Sequence, residues 1–136
     1  MILVDTGPLV ALFDPADGSH GRCVKTLRSI EEPIGTTVPV LTEAFHLLSP
    51  GSLGPQRLID FISAGGLLVW FLDDPTLRRA FELMVRYADI PMDLADASLV
   101  LAAERLGLRK MFTLDRDFTA YRIQRGHRLV AFEVLG

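Results

Sequence analysis

Short apolar runs alternate along the chain with longer segments in which apolar side chains recur at helical spacing. Short strands, most of them rich in apolar residues, are predicted at residues 2–5, 34–37, 67–72, 110–114 and 129–133. Helical spacing, usually opened by a proline or a capping residue, covers residues 8–13, 19–31, 39–48, 55–62, 75–88 and 93–106, with a short turn at 118–121. Strands that alternate with helices predict right-handed crossovers and a mostly parallel sheet, so we expect an α/β protein.

The run at residues 67–72 is apolar at every position and follows Gly65 and Gly66. Parallel strands covered by helices on both faces have continuous runs of this kind, whereas half-exposed strands alternate. The run is therefore predicted to be a strand buried on both faces. Trp70 within it is predicted to belong to the core rather than to a surface on which bases stack.

Length and composition predict one domain spanning residues 1–136. The chain is 49% hydrophobic, enough to bury a core without disulfides or a structural metal. No apolar run approaches the ~20 residues of a membrane span, and the first residues lack a signal-peptide pattern. Cys23, the only cysteine, fits a reducing compartment. We therefore expect a soluble protein of the cytoplasm with no membrane partner.

The charge is weakly negative overall but unevenly distributed. A net charge of −3 argues against a protein that coats nucleic acid through bulk positive charge. Seven of the fourteen lysines and arginines nevertheless fall within residues 105–128, close in sequence to Asp115. An acidic centre with a basic rim would suit a phosphate-bearing substrate. A solvated basic surface is the simpler alternative.

Four acidic residues lie where predicted strands end or near the start of predicted helices: Asp5, Glu43, Asp96 and Asp115. Functional residues of open α/β sheets gather beyond the carboxyl ends of the strands, so we expect these four to converge at one edge. Carboxylates at the ends of buried segments are costly unless a cation meets them. The pattern therefore predicts a site for a divalent metal ion.

Each of these acidic residues also has a local structural explanation. Asp5 could form an Asx turn, and Asp115 could cap the turn that follows it. Asp93 and Asp96 have the spacing of an N-cap and N3 pair at a helix start, and Glu43 could face solvent. Four separate explanations in one small domain are a weaker account than one shared site.

Four segments, in order, cover almost the whole chain: residues 4–12 (VDTGPLVAL), 42–43 (TE), 93–98 (DLADAS) and 113–118 (TLDRDF). This ordered set resembles the PIN-domain ribonucleases and, within them, the VapC-type toxins of bacterial and archaeal toxin–antitoxin pairs. The resemblance implies a three-layer α/β/α sandwich with a five-stranded, mostly parallel sheet, a Mg²⁺ or Mn²⁺ site and cleavage of RNA. It also implies a cognate antitoxin and a homodimer.

Carried over by position, the resemblance makes Asp5, Glu43, Asp96 and Asp115 an acidic quartet, with Asp117 as an accessory carboxylate. Phosphodiester hydrolysis requires an activated water, charge relief on the phosphoryl oxygens and a stabilised leaving group, all of which hard divalent cations supply. Mg²⁺ prefers a few carboxylates and retained waters, so no histidine is needed. We expect the first and third of the quartet to be direct ligands, and the others to bind a second ion or orient its waters.

Two threonines and one further aspartate are expected to support the site. The hydroxyls of Thr6 and Thr113 lie at predicted strand ends, where they could hydrogen-bond the site or the scissile phosphate. Asp93 is expected to cap the helix that carries Asp96.

Other functional classes fit less well. A haloacid-dehalogenase-like phosphatase would have a second aspartate where this chain has Gly7, and a response-regulator receiver would need an acidic pair near the first strand. A non-catalytic PIN-like module that binds RNA or a partner remains open, as does a nuclease outside a toxin–antitoxin pair. His20, His46 and His127 lack metal-ligand spacing and are predicted to be structural or surface residues.

Overall fold

The computed structural model describes residues 1–136, which form seven strands, six α-helices and one 3₁₀ helix. The strands are Ile2–Val4 (β1), Ile34–Thr37 (β2), Leu68–Trp70 (β3), Lys110–Phe112 (β4), Arg122–Arg125 (β5), Arg128–Ala131 (β6) and Glu133–Leu135 (β7). The α-helices are Thr6–Phe13 (α1), His20–Ser29 (α2), Val38–Leu47 (α3), Gly54–Ser63 (α4), Asp74–Arg86 (α5) and Leu94–Leu106 (α6). The 3₁₀ helix is Arg116–Thr119.

Five strands form one parallel sheet in the order β3-β2-β1-β4-β7. Leu3 of the central strand pairs with Gly35 on one side and Met111 on the other. From β1 to β3, each strand is added to the same edge of the sheet. The connection after β3 then crosses back, so that β4 pairs with the other side of β1. Because crossovers of parallel strands are right-handed, this reversal places helices on both faces of the sheet. The predicted α/β/α sandwich is confirmed.

The core lies around β1, β4 and α6. All three residues of β1 are buried, as expected for a central strand covered on both faces. Nine consecutive residues of α6, from 95 to 103, are buried, and most are alanine, leucine or valine. Small side chains allow other elements to approach this helix from several directions, and α6 packs against α3, α5, β2 and β5.

Capping side chains fix where the last two α-helices begin. Asp93 caps α6 in a reciprocal capping box with Asp96, as predicted, and Gly107 ends that helix at a φ of 68°. Helix α5 begins with a capping box as well, but its N-cap is Asp73, one residue earlier than a helix that begins at Pro75 would have. The Thr76 side chain completes this box by accepting from the Asp73 N–H, while Asp73 accepts from the Thr76 N–H. The position of Pro75 alone does not indicate this pair.

Two strand predictions were wrong. The strand expected at residues 129–133 is divided, because β6 pairs antiparallel with β5 in a separate hairpin and β7 supplies the fifth sheet strand. Gly126, at a φ of 60°, provides the two-residue turn of that hairpin. The run at 67–72 is not buried on both faces, because β3 is an edge strand and Leu68 and Phe71 are exposed.

None of the helices is long and apolar enough to cross a membrane.

Candidate active site

Two neighbouring strands bring the first and last predicted acidic residues to the same edge of the sheet. Val4 pairs with Phe112 at the ends of β1 and β4, so the chain segments that follow them leave the sheet side by side. Asp5 follows directly after β1, and Asp115 lies three residues beyond the end of β4. This is the carboxyl edge of the parallel strands, where open α/β sheets place their functional groups.

Both oxygens of the Asp5 carboxylate accept hydrogen bonds from the protein. The Thr6 backbone N–H donates to Oδ1 at 2.8 Å, and the Thr113 hydroxyl donates to Oδ2, also at 2.8 Å. Burial raises the pKa of Asp5 to about 6, against the lowering effect of these two donors, and the nearby Asp115 and Glu43 carboxylates add to the increase. Two hydrogen bonds therefore hold the Asp5 carboxylate in one orientation, at a buried position where no cation compensates its negative charge.

Helix α6 presents Asp96 from the other direction. Asp93 Oδ1 accepts from the Asp96 backbone N–H at 2.8 Å, and Asp96 Oδ2 accepts in return from the Asp93 N–H at 3.2 Å. Burial raises the pKa of Asp96 to about 8, and the Asp93 and Asp5 carboxylates contribute to the increase. The helix-cap interpretation is therefore confirmed for Asp96, which also lines the cleft, and its role as a metal ligand stays a prediction.

A buried hydroxyl pair holds the first turn of α6 against the sheet. The side-chain oxygens of Thr37, at the end of β2, and Ser98 lie 2.6 Å apart, and the Ser98 hydroxyl donates to the Ala95 carbonyl at 2.6 Å. Ala95 and Ser98 lie on either side of Asp96 in α6. The Thr37–Ser98 contact therefore connects the turn that carries Asp96 to the end of β2. No local sequence pattern indicates that these two hydroxyls meet.

Three carboxylates meet at this edge. One oxygen from each of Asp5, Asp96 and Asp115 lies within 4.8 Å of the other two. Asp5 and Asp96 are buried, with 6% and 8% of their surfaces exposed, whereas Asp115 is exposed. The cluster thus has two carboxylates at its base and one at its mouth. These residues are separated by 91 and 19 positions in the sequence, so their meeting is a product of the fold.

Glu43 lies on α3 and lines the same cleft, of about 530 Å³, as the three clustered aspartates and Asp93. It is not within the close three-carboxylate group. Burial raises the pKa of Glu43, and the Asp93 carboxylate adds to the effect. The structure therefore brings all four predicted acidic residues to one cleft, with Glu43 farther from the centre.

The three accessory residues other than Asp93 occupy different positions. Thr113 binds Asp5 and also accepts from the Asp115 backbone N–H at 2.9 Å. Thr6 lines the cleft, and its buried hydroxyl has no hydrogen-bond partner. The backbone N–H of Asp117 donates to Asp115 Oδ1 at 2.9 Å, whereas the Asp117 side chain does not line the cleft.

The buried side chain of Tyr121 also contacts Asp96. Its hydroxyl, in a fully buried side chain, donates to Asp96 Oδ2 at 3.5 Å. Burial and then the surrounding carboxylates, with Asp96 first among them, raise the pKa of Tyr121, so the hydroxyl stays protonated. The two residues are 25 positions apart in different elements, and no local sequence pattern signals the contact.

The donor set suits a hard divalent cation. Carboxylate oxygens are the ligands that Mg²⁺ and Mn²⁺ favour, and none of the clustered carboxylates forms an ion pair with a lysine or arginine. No lysine or arginine lines the cleft. The raised pKa values of Asp5 and Asp96 have the direction expected where negative charges crowd together without a counter-ion.

The predicted basic rim is largely used for structural contacts. Arg109 donates to the Ala131 carbonyl, Arg122 to the Thr119 and Tyr121 carbonyls, and Arg125 to the Ala103 and Leu108 carbonyls. Lys110 pairs with Glu32 at the start of β4, away from the carboxyl edge. Among the seven basic residues, Arg116 immediately follows Asp115, is exposed and forms no ion pair.

The histidines stay outside the carboxylate cluster. His20 Nδ1 lies 2.7 Å from the Ala11 carbonyl, a structural contact between α2 and α1. His46 is exposed and lines an adjacent groove between α3 and the start of α6. His127 lies in the turn of the β5–β6 hairpin. None belongs to the group that could hold a metal ion.

Comparison with known proteins gives consistent matches over most of the chain. The chain is 25% identical over 124 residues to ribonuclease VapC26 of Mycobacterium tuberculosis, covering 89% of this chain and 92% of the relative. Its fold matches the crystal structure of Mycobacterium tuberculosis VapC20, described as a sarcin–ricin loop cleaving toxin, with a TM-score of 0.81 and 24% identity over 88% and 94% of the two chains. A toxin–antitoxin complex from Klebsiella pneumoniae matches with a TM-score of 0.64 and 17% identity over 87% and 90%.

The family model for the PIN domain matches residues 2–124, a span that contains every carboxylate of the cleft. The sheet order, the cluster at its carboxyl edge and this match agree, and the chain belongs to the PIN domain family.

Proposed function

We propose that this protein is a Mg²⁺- or Mn²⁺-dependent endoribonuclease and the toxin of a toxin–antitoxin pair. The observation that carries the proposal is the meeting of Asp5, Asp96 and Asp115 within 4.8 Å in an open cleft. Similarity to a protein named a ribonuclease, and to structures titled toxin or toxin–antitoxin complex, supports the same assignment. PIN domain membership makes the phosphatase and receiver alternatives unnecessary.

The residues that would hold a metal ion are Asp5 and Asp96, with Asp115 completing the group from the solvent side. A bound Mg²⁺ or Mn²⁺ supplies charge relief to the phosphoryl oxygens and makes a coordinated water more acidic. Glu43, at the edge of the same cleft, is assigned to a second ion or to the orientation of waters around the first. Asp117 would act indirectly, because its backbone N–H fixes Asp115.

The protein's own groups prepare this site in three ways. Thr113 and the Thr6 N–H fix the Asp5 carboxylate through both oxygens. Asp93 fixes Asp96 through the reciprocal capping box. The unpartnered Thr6 hydroxyl is then available to donate to a phosphoryl oxygen that enters the cleft, because a buried hydroxyl needs a partner.

The substrate proposed is RNA with an accessible loop or single-stranded stretch. The cleft is open and about 530 Å³ in volume, large enough to admit a phosphate with its flanking sugars. No lysine or arginine side chain lines the cleft, so the metal ion would neutralise the phosphate that lies there. Arginines outside the cleft, such as Arg116, would bind the neighbouring phosphates. A cognate antitoxin, a homodimer and a cytoplasmic location complete the proposal.

The test is cleavage of a panel of structured RNAs by purified protein with Mg²⁺ or Mn²⁺. We expect cuts at loop or single-stranded positions, no cleavage in excess EDTA, and recovery when the metal is restored. Asp5→Asn, purified in parallel, controls for contaminating nucleases. Full cleavage in EDTA would refute the metal-dependent mechanism, and RNA that is bound but never cut would indicate a non-catalytic binding module.

A short neighbouring gene for a small DNA-binding protein would favour a toxin–antitoxin pair over a stand-alone nuclease.

A further inference from the structure

Tyr121 is held in one orientation by its neighbours. Its ring packs edge-on against Phe118, with centroids 5.1 Å apart and an interplanar angle of 84°, and against Tyr87 at 5.2 Å and 71°. Its backbone N–H donates to the Asp117 carbonyl at 3.2 Å. The side chain is fully buried, and close packing of the interior restricts the orientation of its ring.

That hydroxyl has a single hydrogen-bond partner in the protein, Asp96 Oδ2. The same oxygen accepts from the Asp93 backbone N–H at 3.2 Å. The other oxygen, Asp96 Oδ1, accepts no hydrogen bond from the protein, in contrast with Asp5, where both oxygens are bound. Two donors on one side of the Asp96 carboxylate thus leave its second oxygen free.

We propose that Tyr121 is a positioning residue for the metal site: with the Asp93 N–H it holds Asp96 Oδ2 and so reserves Oδ1 for the cation. The inference rests on the proposed function, because it takes Asp96 as a ligand. Groups that orient a metal ligand contribute about 10–100-fold to metal affinity or activity. The link also connects the aromatic cluster around the 3₁₀ helix to the carboxylate at the base of the cleft.

Titration calorimetry with Mn²⁺ alone, on the wild type, Tyr121→Phe and Tyr87→Phe, tests the proposal. Phenylalanine keeps the ring and its packing and removes only the hydroxyl. Tyr87→Phe is the matched control, because the Tyr87 hydroxyl belongs to the same cluster but accepts from the Arg122 backbone N–H, at 3.2 Å, and touches no carboxylate. Melting curves in EDTA report the packing of each variant separately from its metal site.

We expect Tyr121→Phe to bind Mn²⁺ about 10-fold more weakly than wild type, the lower end of the usual range because the contact is long, 3.5 Å, with Tyr87→Phe unchanged. In single-turnover cleavage, the defect of Tyr121→Phe should shrink as Mn²⁺ is raised. Wild-type affinity in Tyr121→Phe, or an equal loss in both variants, would overturn the positioning role while leaving the metal site intact. A wild-type protein that binds no Mn²⁺ would instead overturn the proposed function itself.

Discussion

The hydroxyl of Thr113 donates a 2.8 Å hydrogen bond to Asp5 Oδ2 across the ends of two neighbouring strands. The pairing of Val4 with Phe112 creates this contact, because it carries the next residue of each strand to the same level. The same hydroxyl accepts from the Asp115 N–H. Thr113 therefore joins the Asp5 carboxylate and the Asp115 backbone at the ends of the central strands of the sheet.

Replacing Thr113 with valine should weaken metal binding without unfolding the protein. Valine has a similar shape but removes the donor to Asp5 and the acceptor of the Asp115 N–H. We expect Mn²⁺ affinity to fall about 10–100-fold. Thr113→Ser, which keeps the hydroxyl, should restore most of the loss. Calorimetry on the three proteins makes the comparison, and equal affinity of Thr113→Val and wild type would show that the hydroxyl does not orient the site.

The two carboxylates after β4 should differ in importance. Asp115 belongs to the close cluster, whereas Asp117 contributes its backbone N–H, which a side-chain substitution retains. Asp115→Asn should therefore reduce single-turnover cleavage at saturating Mn²⁺ more than Asp117→Asn, whose loss should stay below about 10-fold, the lower end of the effect of groups that orient a ligand. If Asp117→Asn is the more damaged enzyme while both variants remain folded, the fourth acidic position has been assigned to the wrong residue.

The metal-free protein should lose stability as the pH rises from about 4, the ordinary pKa of an unfolded aspartate, through the raised pKa values of Asp5, about 6, and Asp96, about 8, in the folded state. A carboxyl group whose pKa is raised by folding favours the folded state below its unfolded pKa, and this contribution is lost as the pH rises through the folded pKa. The melting temperature in EDTA should accordingly fall across this interval. Asp96→Asn should flatten the upper part of the decline, and Asp89→Asn, at an exposed surface position, should leave it unchanged.

Mg²⁺ or Mn²⁺ should raise the melting temperature of the wild type most at the alkaline end, because a bound cation relieves the repulsion among the ionised carboxylates. The increase should shrink in Asp96→Asn. Equal metal-induced shifts in the two proteins would mean that the ion binds elsewhere.

Two arginines should separate structural from substrate-binding roles. Arg125 donates to carbonyls at the end of α6, so Arg125→Ala should lower the free energy of unfolding by about 1–3 kcal/mol. Arg116 is exposed beside Asp115 without an ion pair, so Arg116→Ala should weaken RNA binding and reduce its salt dependence by about one phosphate contact. Filter binding at several salt concentrations and denaturant unfolding distinguish the two. Unchanged RNA affinity in Arg116→Ala would remove this residue from the proposed RNA interface.

The fold and the carboxylate cluster could be predicted from sequence because their signals are local. Asp5 and Asp115 each follow an apolar strand, and Asp96 stands in the first turn of a helix whose cap is also visible. Parallel strands then bring such ends together. The parallel sheet needed no knowledge of distant contacts, and the first four predicted strands lie where the structure has β1 to β4.

What the sequence did not reveal depends on packing between distant residues. Tyr121 meets Asp96, and Thr37 meets Ser98, only because helices and sheet pack in a particular way. The exposure of the run at 67–72 follows from the position of β3 at the edge, which its composition does not encode. The hairpin around Gly126 has a local signal, the Gly-His pair at residues 126–127, but the prediction of a single strand at 129–133 does not include it.

The most direct test of the account is single-turnover cleavage of RNA by the wild type and Asp96→Asn as Mn²⁺ is titrated, with Asp89→Asn as the surface control. The account predicts that wild type and control cut at a rate that rises with Mn²⁺ and falls to background in EDTA. Asp96→Asn should be slower by on the order of 10³-fold with its fold retained. Cleavage by Asp96→Asn at the wild-type rate would contradict the assignment of the carboxylate cluster as the catalytic metal site.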